Sequence, residues 1–198
     1  MQAWQISAIE ERDSEENAKF QSTVFRYIFL VLAVASSLIA AIAYPVYTFL
    51  MSSTYEGAWQ PVALLSFANF FSCIGAFFGT TYVVTKESKK AFLTTAIGAV
   101  VNIVLTLVLV PVMGIMGAAA ATVVSYVVIA LVRARDTRKF VEINFSKGEI
   151  VVSLAIITMQ VTLSLFPYNS MLLYMNFALF VVLIVVLYRS VTPRCSQM

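Results

Sequence analysis

Histidine is absent from the 198 residues, and charge is nearly so: only 12% of the chain is Asp, Glu, Lys or Arg. Without imidazole there is no histidine general base and no histidine-based metal site. With so little charge against 61% hydrophobic residues and a mean hydropathy of +0.89, a water-soluble fold of this size would expose apolar surface beyond what a monomer tolerates. Lipid is the solvent that fits. Two cysteines cannot build a disulfide framework. Cys73 lies in an apolar run and reads as a small hydrophobe. Cys195 opens a C-terminal Cys-Ser-Gln-Met that matches a prenylation box in form only, because its middle residues are polar. The first residues are acidic (Glu10, Glu11, Asp13, Glu15, Glu16) rather than basic and then apolar, so no secretory signal peptide is expected. Carboxylate pairs, Gly-rich phosphate loops and nucleophile elbows are missing too, and the expectation is a non-enzyme with no metal and no cofactor.

What is present is a series of long apolar runs. A spanning helix needs about 20 mainly apolar residues. Six stretches qualify: Tyr27–Met51, Gln60–Val84, Ala91–Val112, Ile115–Val132, Ile150–Phe166 and Met171–Tyr188. None holds Asp, Glu, Lys or Arg, each of which would cost about 2.5–3.5 kcal/mol at a helix centre. Barrel strands would instead read as ~10-residue alternating segments. The predicted fold is all-α, a polytopic membrane protein of about six transmembrane helices. Pro45 and Pro111 fall near span exits, Pro61 in a first turn and Pro167 in a tight turn. Tyr27, Tyr47, Trp59, Tyr82, Tyr168 and Tyr188 sit near span ends, as an interfacial belt would.

The basic residues give a direction. Arg12, Lys19 and Arg26 precede the first span; Lys86, Lys89 and Lys90 separate the second and third. Arg133, Arg135, Arg138, Lys139 and Lys147 separate the fourth and fifth, and Arg189 and Arg194 follow the sixth. All 13 basic residues therefore share one side, while the alternate connections near Ser52–Ala58, Met113–Gly114 and Pro167–Ser170 carry none. The positive-inside rule predicts both termini in the cytoplasm. Charge in these positions reads as membrane topology and contact with membrane lipids, with no nucleic-acid partner expected. The sequon Asn144-Phe145-Ser146 then lies on the cytoplasmic side and should be unused. The chain divides into a cytoplasmic segment 1–26, four spans over 27–132, a basic loop 133–149, a helix hairpin 150–188 and a cytoplasmic tail 189–198.

Two sets of residues stand out within the spans. Gly114 with Ala118, and Gly117 with Ala121 and Ser125, place small residues four apart on the fourth span, a strip against which another helix can pack closely. The amides Asn69, Asn102 and Gln160 sit at mid-depth. They either bond between helices or line a polar substrate pathway.

The middle of the chain resembles the oligosaccharide flippases of the multidrug/oligosaccharidyl-lipid/polysaccharide exporter superfamily. The resemblance rests on an ordered set of elements between about Gln2 and Arg138: Trp4-Gln5-Ile6-Ser7-Ala8 and Phe20–Phe25, a span ending in Pro45, and Tyr55-Glu56-Gly57-Ala58-Trp59. Next come Thr85-Lys86-Glu87-Ser88-Lys89-Lys90, Gly98 with Asn102, Leu109-Val110-Pro111, and Gly114-Ile115-Met116-Gly117-Ala118-Ala119 with Ala121-Thr122. It implies part of the second lobe of a MATE-like transporter plus two extra helices, with the first lobe absent. The function implied is the C-terminal portion of a flippase for lipid-linked oligosaccharide or polysaccharide precursors at the cytoplasmic membrane, not transport-competent alone. Either the chain is a truncated product or a second chain supplies the missing lobe. A multidrug exporter fragment and a non-transporting assembly subunit are the alternatives.

Overall fold

The computed structural model describes residues 15–50, 57–139, 147–166 and 169–195. These form six α-helices: α1 Glu15–Leu50, α2 Trp59–Val84, α3 Ser88–Met113, α4 Ile115–Asp136, α5 Lys147–Ser164 and α6 Ser170–Cys195, with a 3-10 turn Thr137–Lys139 after α4. No strand occurs among the described residues. Five helices are long and apolar enough to cross a membrane, and the apolar part of α5, Gly148–Ser164, is shorter. The protein is an all-α polytopic membrane protein. At 1.5 Å per residue α5 is about 27 Å long, close to the ~30 Å thickness of a hydrocarbon core.

Helices outrun the apolar stretches that announce them. α1 starts at Glu15, 12 residues before the first apolar stretch, and spans 36 residues. Its length of about 54 Å exceeds any hydrocarbon core, so its charged first turns continue the helix outside lipid. Pro45 lies inside α1, and the Thr48 hydroxyl donates to its carbonyl at 2.9 Å. α4 continues past Val132 to Asp136, which brings Arg133 and Arg135 into its last turn. Pro167 and Tyr168, the sequon, Trp4–Ala8 and Tyr55-Glu56 lie outside the described residues.

Contacts divide the chain into two units, 1–29 with 71–145 and 30–70 with 146–198. The first takes the start of α1, the end of α2, and the α3–α4 hairpin. Its core holds a ring cluster of Phe25, Phe29, Phe77 and Phe78, with centroids 5.1–6.2 Å apart. The second takes the rest of α1 and α2 with the α5–α6 hairpin, around alanines (Ala33, Ala40, Ala41, Ala63), Phe70, Ile157 and Leu183. Tyr44, Tyr47 and Trp59 group where α1 ends and α2 begins, with Trp59 4.9 Å from Tyr47 and 5.2 Å from Tyr44.

The α3–α4 hairpin turns on one residue. Gly114, at φ 55° and ψ −135°, occupies backbone space that a side chain makes costly. Its amide closes α3 by donating to the Val110 carbonyl at 2.8 Å. The helices then meet at Gly117, where an added Cβ would stand 2.5 Å from the Leu109 carbonyl oxygen. Beyond this partner α3 is exposed: only Thr94 and Gly98 are buried.

Candidate functional site

The small-residue strip of α4 does not end at Ser125. Continuing by fours, it reaches Ile129 and Arg133. Gly117, Ala121 and Ser125 are buried, Ala118 is half-buried, and Gly114 is exposed and serves as the turn. Facing this strip on α3 are Gly98, where an added Cβ would fall 2.2 Å from the Ile129 side chain, and Asn102. The Asn102 amide nitrogen donates to the Ser125 hydroxyl at 3.1 Å and the Thr122 hydroxyl at 3.5 Å. Those hydroxyls spend their own protons on helix carbonyls: Thr122 on Ala118, Ser125 on Ala121 or Thr122, each 2.9 Å away. Their lone pairs are thereby left for Asn102. The amide oxygen of Asn102 has no donor among the described residues.

Beside these bonds lies an open cleft of about 370 Å³ lined by Thr95, Gly98, Ala99, Asn102, Thr122, Ser125, Tyr126 and Ile129. At one end stands Arg133. Its guanidinium is half-buried and reaches two other helices. Nε donates to the Thr94 hydroxyl at 3.0 Å, one terminal nitrogen to the Thr95 hydroxyl at 2.8 Å, and the other to the Gly75 carbonyl of α2 at 2.9 Å. A glycine makes room for it, since a Cβ on Gly79 would sit 2.7 Å from that terminal nitrogen. Gly75 and Gly79 form a GxxxG pair on α2, and a Cβ added at Gly75 would lie 3.6 Å from the Ala130 backbone of α4.

One turn further along α4, the Asp136 carboxylate accepts from the buried Tyr82 hydroxyl at 2.9 Å. Lys90 and Glu87, at the start of α3, form an ion pair at 2.6 Å. Arg133 therefore rests on three neutral oxygens.

The three amides singled out by sequence go to different places. Asn102 joins the cleft. Gln160 is fully buried in the other unit, where it accepts from the Ser37 hydroxyl at 2.6 Å and donates to the Asn176 carbonyl at 3.1 Å. Asn69 is exposed on α2 and shares neither network.

No family model, curated protein or solved structure matches this chain. The cleft has to be judged on its chemistry. It offers amide, hydroxyl and phenol groups beside one cation, the equipment for binding a polar or anionic group. Among the described residues no cluster of three His, Cys, Asp or Glu could hold a metal ion.

Arg133 was hidden from sequence reasoning, which counted it as a loop charge. Two signals pointed to it: the four-residue strip that runs into it, and the Gly75-Ala76-Phe77-Phe78-Gly79 pair.

Proposed function

We propose that this chain forms part of the wall of a flippase that moves lipid-linked oligosaccharide or polysaccharide precursors across the cytoplasmic membrane. The observation that carries this reading is the Asn102 cleft: a polar, open recess in the flank of a helix that is otherwise exposed and apolar. A purely structural amide would be enclosed on all sides, as Gln160 is. An amide oxygen and a ring of hydroxyls are suited to a hydroxyl-rich ligand. Transport would follow from rocking of two lobes about a central site, the second lobe coming from another chain or chain segment. On this reading both termini belong in the cytoplasm, which the 13 basic residues sharing one side support.

The test is photo-crosslinking in native membranes, with a photoreactive residue at Ala99 in the cleft or at Val108 on the exposed flank of α3. A tritiated isoprenoid-diphosphate oligosaccharide should label position 99 well above position 108, and unlabelled probe should compete. Equal labelling at the two positions would mean ordinary lipid contact and defeat the reading.

A second reading, a non-transporting assembly subunit, is favoured by the breadth of exposed apolar surface on α3: Phe92, Ile97, Val100, Val104 and Leu107 are 45–73% exposed. It predicts that position 108 crosslinks to a protein rather than to lipid.

A further inference from the structure

Arginine in a membrane helix is costly and is ordinarily paired with an opposite charge or with backbone carbonyls. Arg133 is half-buried, yet none of its bonds is to a carboxylate. The nearest acid along α4, Asp136, is engaged by Tyr82. Glu87, at the start of α3, is engaged by Lys90. Three of the five N–H groups of the guanidinium are held by Thr94, Thr95 and Gly75, which fix its plane without forming a bond to a counter-charge. Two N–H groups, one on each terminal nitrogen, remain. The guanidinium borders the cleft through its bond to Thr95, which lines it, and sits in the last turn of α4 with Arg135. Alongside, α3 presents Phe92 and Leu93, 73% and 48% exposed.

We propose that Arg133 is an anion-binding residue that holds the phosphate of a membrane-lipid headgroup at this end of the α3–α4 cleft. A planar guanidinium of fixed orientation with one spare donor on each terminal nitrogen suits the several oxygens of a phosphate. Thr94, Thr95 and Gly75 position the fork, and Gly79 gives it clearance. The lipid's chains then lie against the apolar flank of α3. The site does not depend on what occupies the Asn102 end: a headgroup phosphate binds whether or not a saccharide is carried there. The phosphate belongs either to a bulk anionic phospholipid or to an isoprenoid carrier lipid, and binding measurements separate the two.

The full chain, in nanodiscs of phosphatidylcholine doped with phosphatidylglycerol or with isoprenoid monophosphate, is analysed for co-isolated lipid by native mass spectrometry. Wild type should retain one anionic lipid preferentially. R133Q should lower that retention at least fivefold, whereas K89Q, which removes an exposed cation in the first turn of α3, should leave it unchanged. G79A should weaken it by displacing the guanidinium with its charge intact. R133K should lose most of that preference, because an ammonium keeps the charge but not the planar fork. Stronger retention of phosphatidylglycerol assigns the site to bilayer lipid, and stronger retention of isoprenoid phosphate assigns it to a carrier; either upholds the phosphate site. Wild-type retention in R133Q, equal losses in R133Q and K89Q, or wild-type retention in a folded R133K would overturn it. Should R133Q lose helical circular dichroism, the comparison of G79A and R133K with wild type decides alone. Retention lost in R133Q but unchanged in G79A would show a diffuse surface charge and also refute the site. Failure here leaves the crosslinking result at Ala99 standing, and the reverse holds equally.

Discussion

Single residues decide how closely these helices approach. At Gly117 the obstacle to a side chain is backbone: a Cβ would lie 2.5 Å from the Leu109 carbonyl oxygen and 2.6 Å from its carbon. Backbone cannot rotate aside as a side chain can, so Gly117→Ala has to open the α3–α4 hairpin. We expect a loss of about 1–3 kcal/mol, the usual range for overpacking, seen as a lower midpoint in denaturant titration in mixed micelles. Gly79→Ala meets only the end of a flexible arginine and should cost less. An unchanged midpoint for Gly117→Ala would mean the helices do not meet as closely as described. Lys86 is a different case. It sits at φ 58° just after α2, where the Glu87 amide reaches the Tyr82 carbonyl at 2.8 Å and its own reaches Val83 at 3.3 Å. That pairing is a Schellman ending, usually occupied by glycine. Lys86→Gly relieves left-handed strain of about 1–2 kcal/mol, partly offset by glycine's greater unfolded-state freedom of about 0.5–1 kcal/mol and by the lost charge at the helix end. A small net stabilisation, raising the same midpoint, is expected.

Among elements, hydrogen bonds in the second unit tie together helices far apart in the chain. Gln160 of α5 bridges Ser37 of α1 and the Asn176 carbonyl of α6, and all three residues are fully buried. Such bonds average about 0.6 kcal/mol in membrane proteins and reach ~1.7. Gln160→Leu should fall in that range. Combined with Ser37→Ala it should lose less than the sum of the singles, because both variants delete the same bond. Strict additivity in a double-mutant cycle would show that the bond contributes nothing. Apolar runs located every helix from sequence because lipid contact and apolarity are the same physical demand. Helix ends were less legible, since hydrogen bonding continues where lipid stops: α1 begins at Glu15 and α4 reaches Asp136. Burial was legible only in part. Asn102 and Gln160 were found as amides in apolar runs, but whether a given amide faces a partner, a cleft or the outside depends on rotation about the helix axis. Asn69 is exposed for that reason, and Tyr82, expected at an interface, is buried against Asp136. The grouping of 30–70 with 146–198 depends on long-range packing that chain order does not encode.

At the scale of the molecule, the arrangement that matters most is the distribution of charge. All 13 basic residues fall before the first span, after the last, or in alternate connections between. Arg133 belongs to that set, and its place in the last turn of α4 keeps its guanidinium toward the basic end. A single Lys or Arg held at a helix centre costs about 2.5–3.5 kcal/mol, so so many clustered charges are not easily carried across a bilayer, and orientation follows them. The proposed orientation therefore predicts reactivity at two loop serines. In a background of Cys73→Ala and Cys195→Ser, Ser53→Cys should react with a membrane-impermeant maleimide added to intact cells. Ser146→Cys should react only after the membrane is opened. The reversed pattern would invert the topology and put the Arg133 phosphate site against the outer leaflet. Labelling of both positions in intact cells would mean an even number of crossings between them. Because residues 53 and 146 bracket three long helices and the start of a fourth connection, α5 itself needs a third probe: Asn169→Cys should label from outside if the 18-residue α5 crosses completely, and fail to label if it does not.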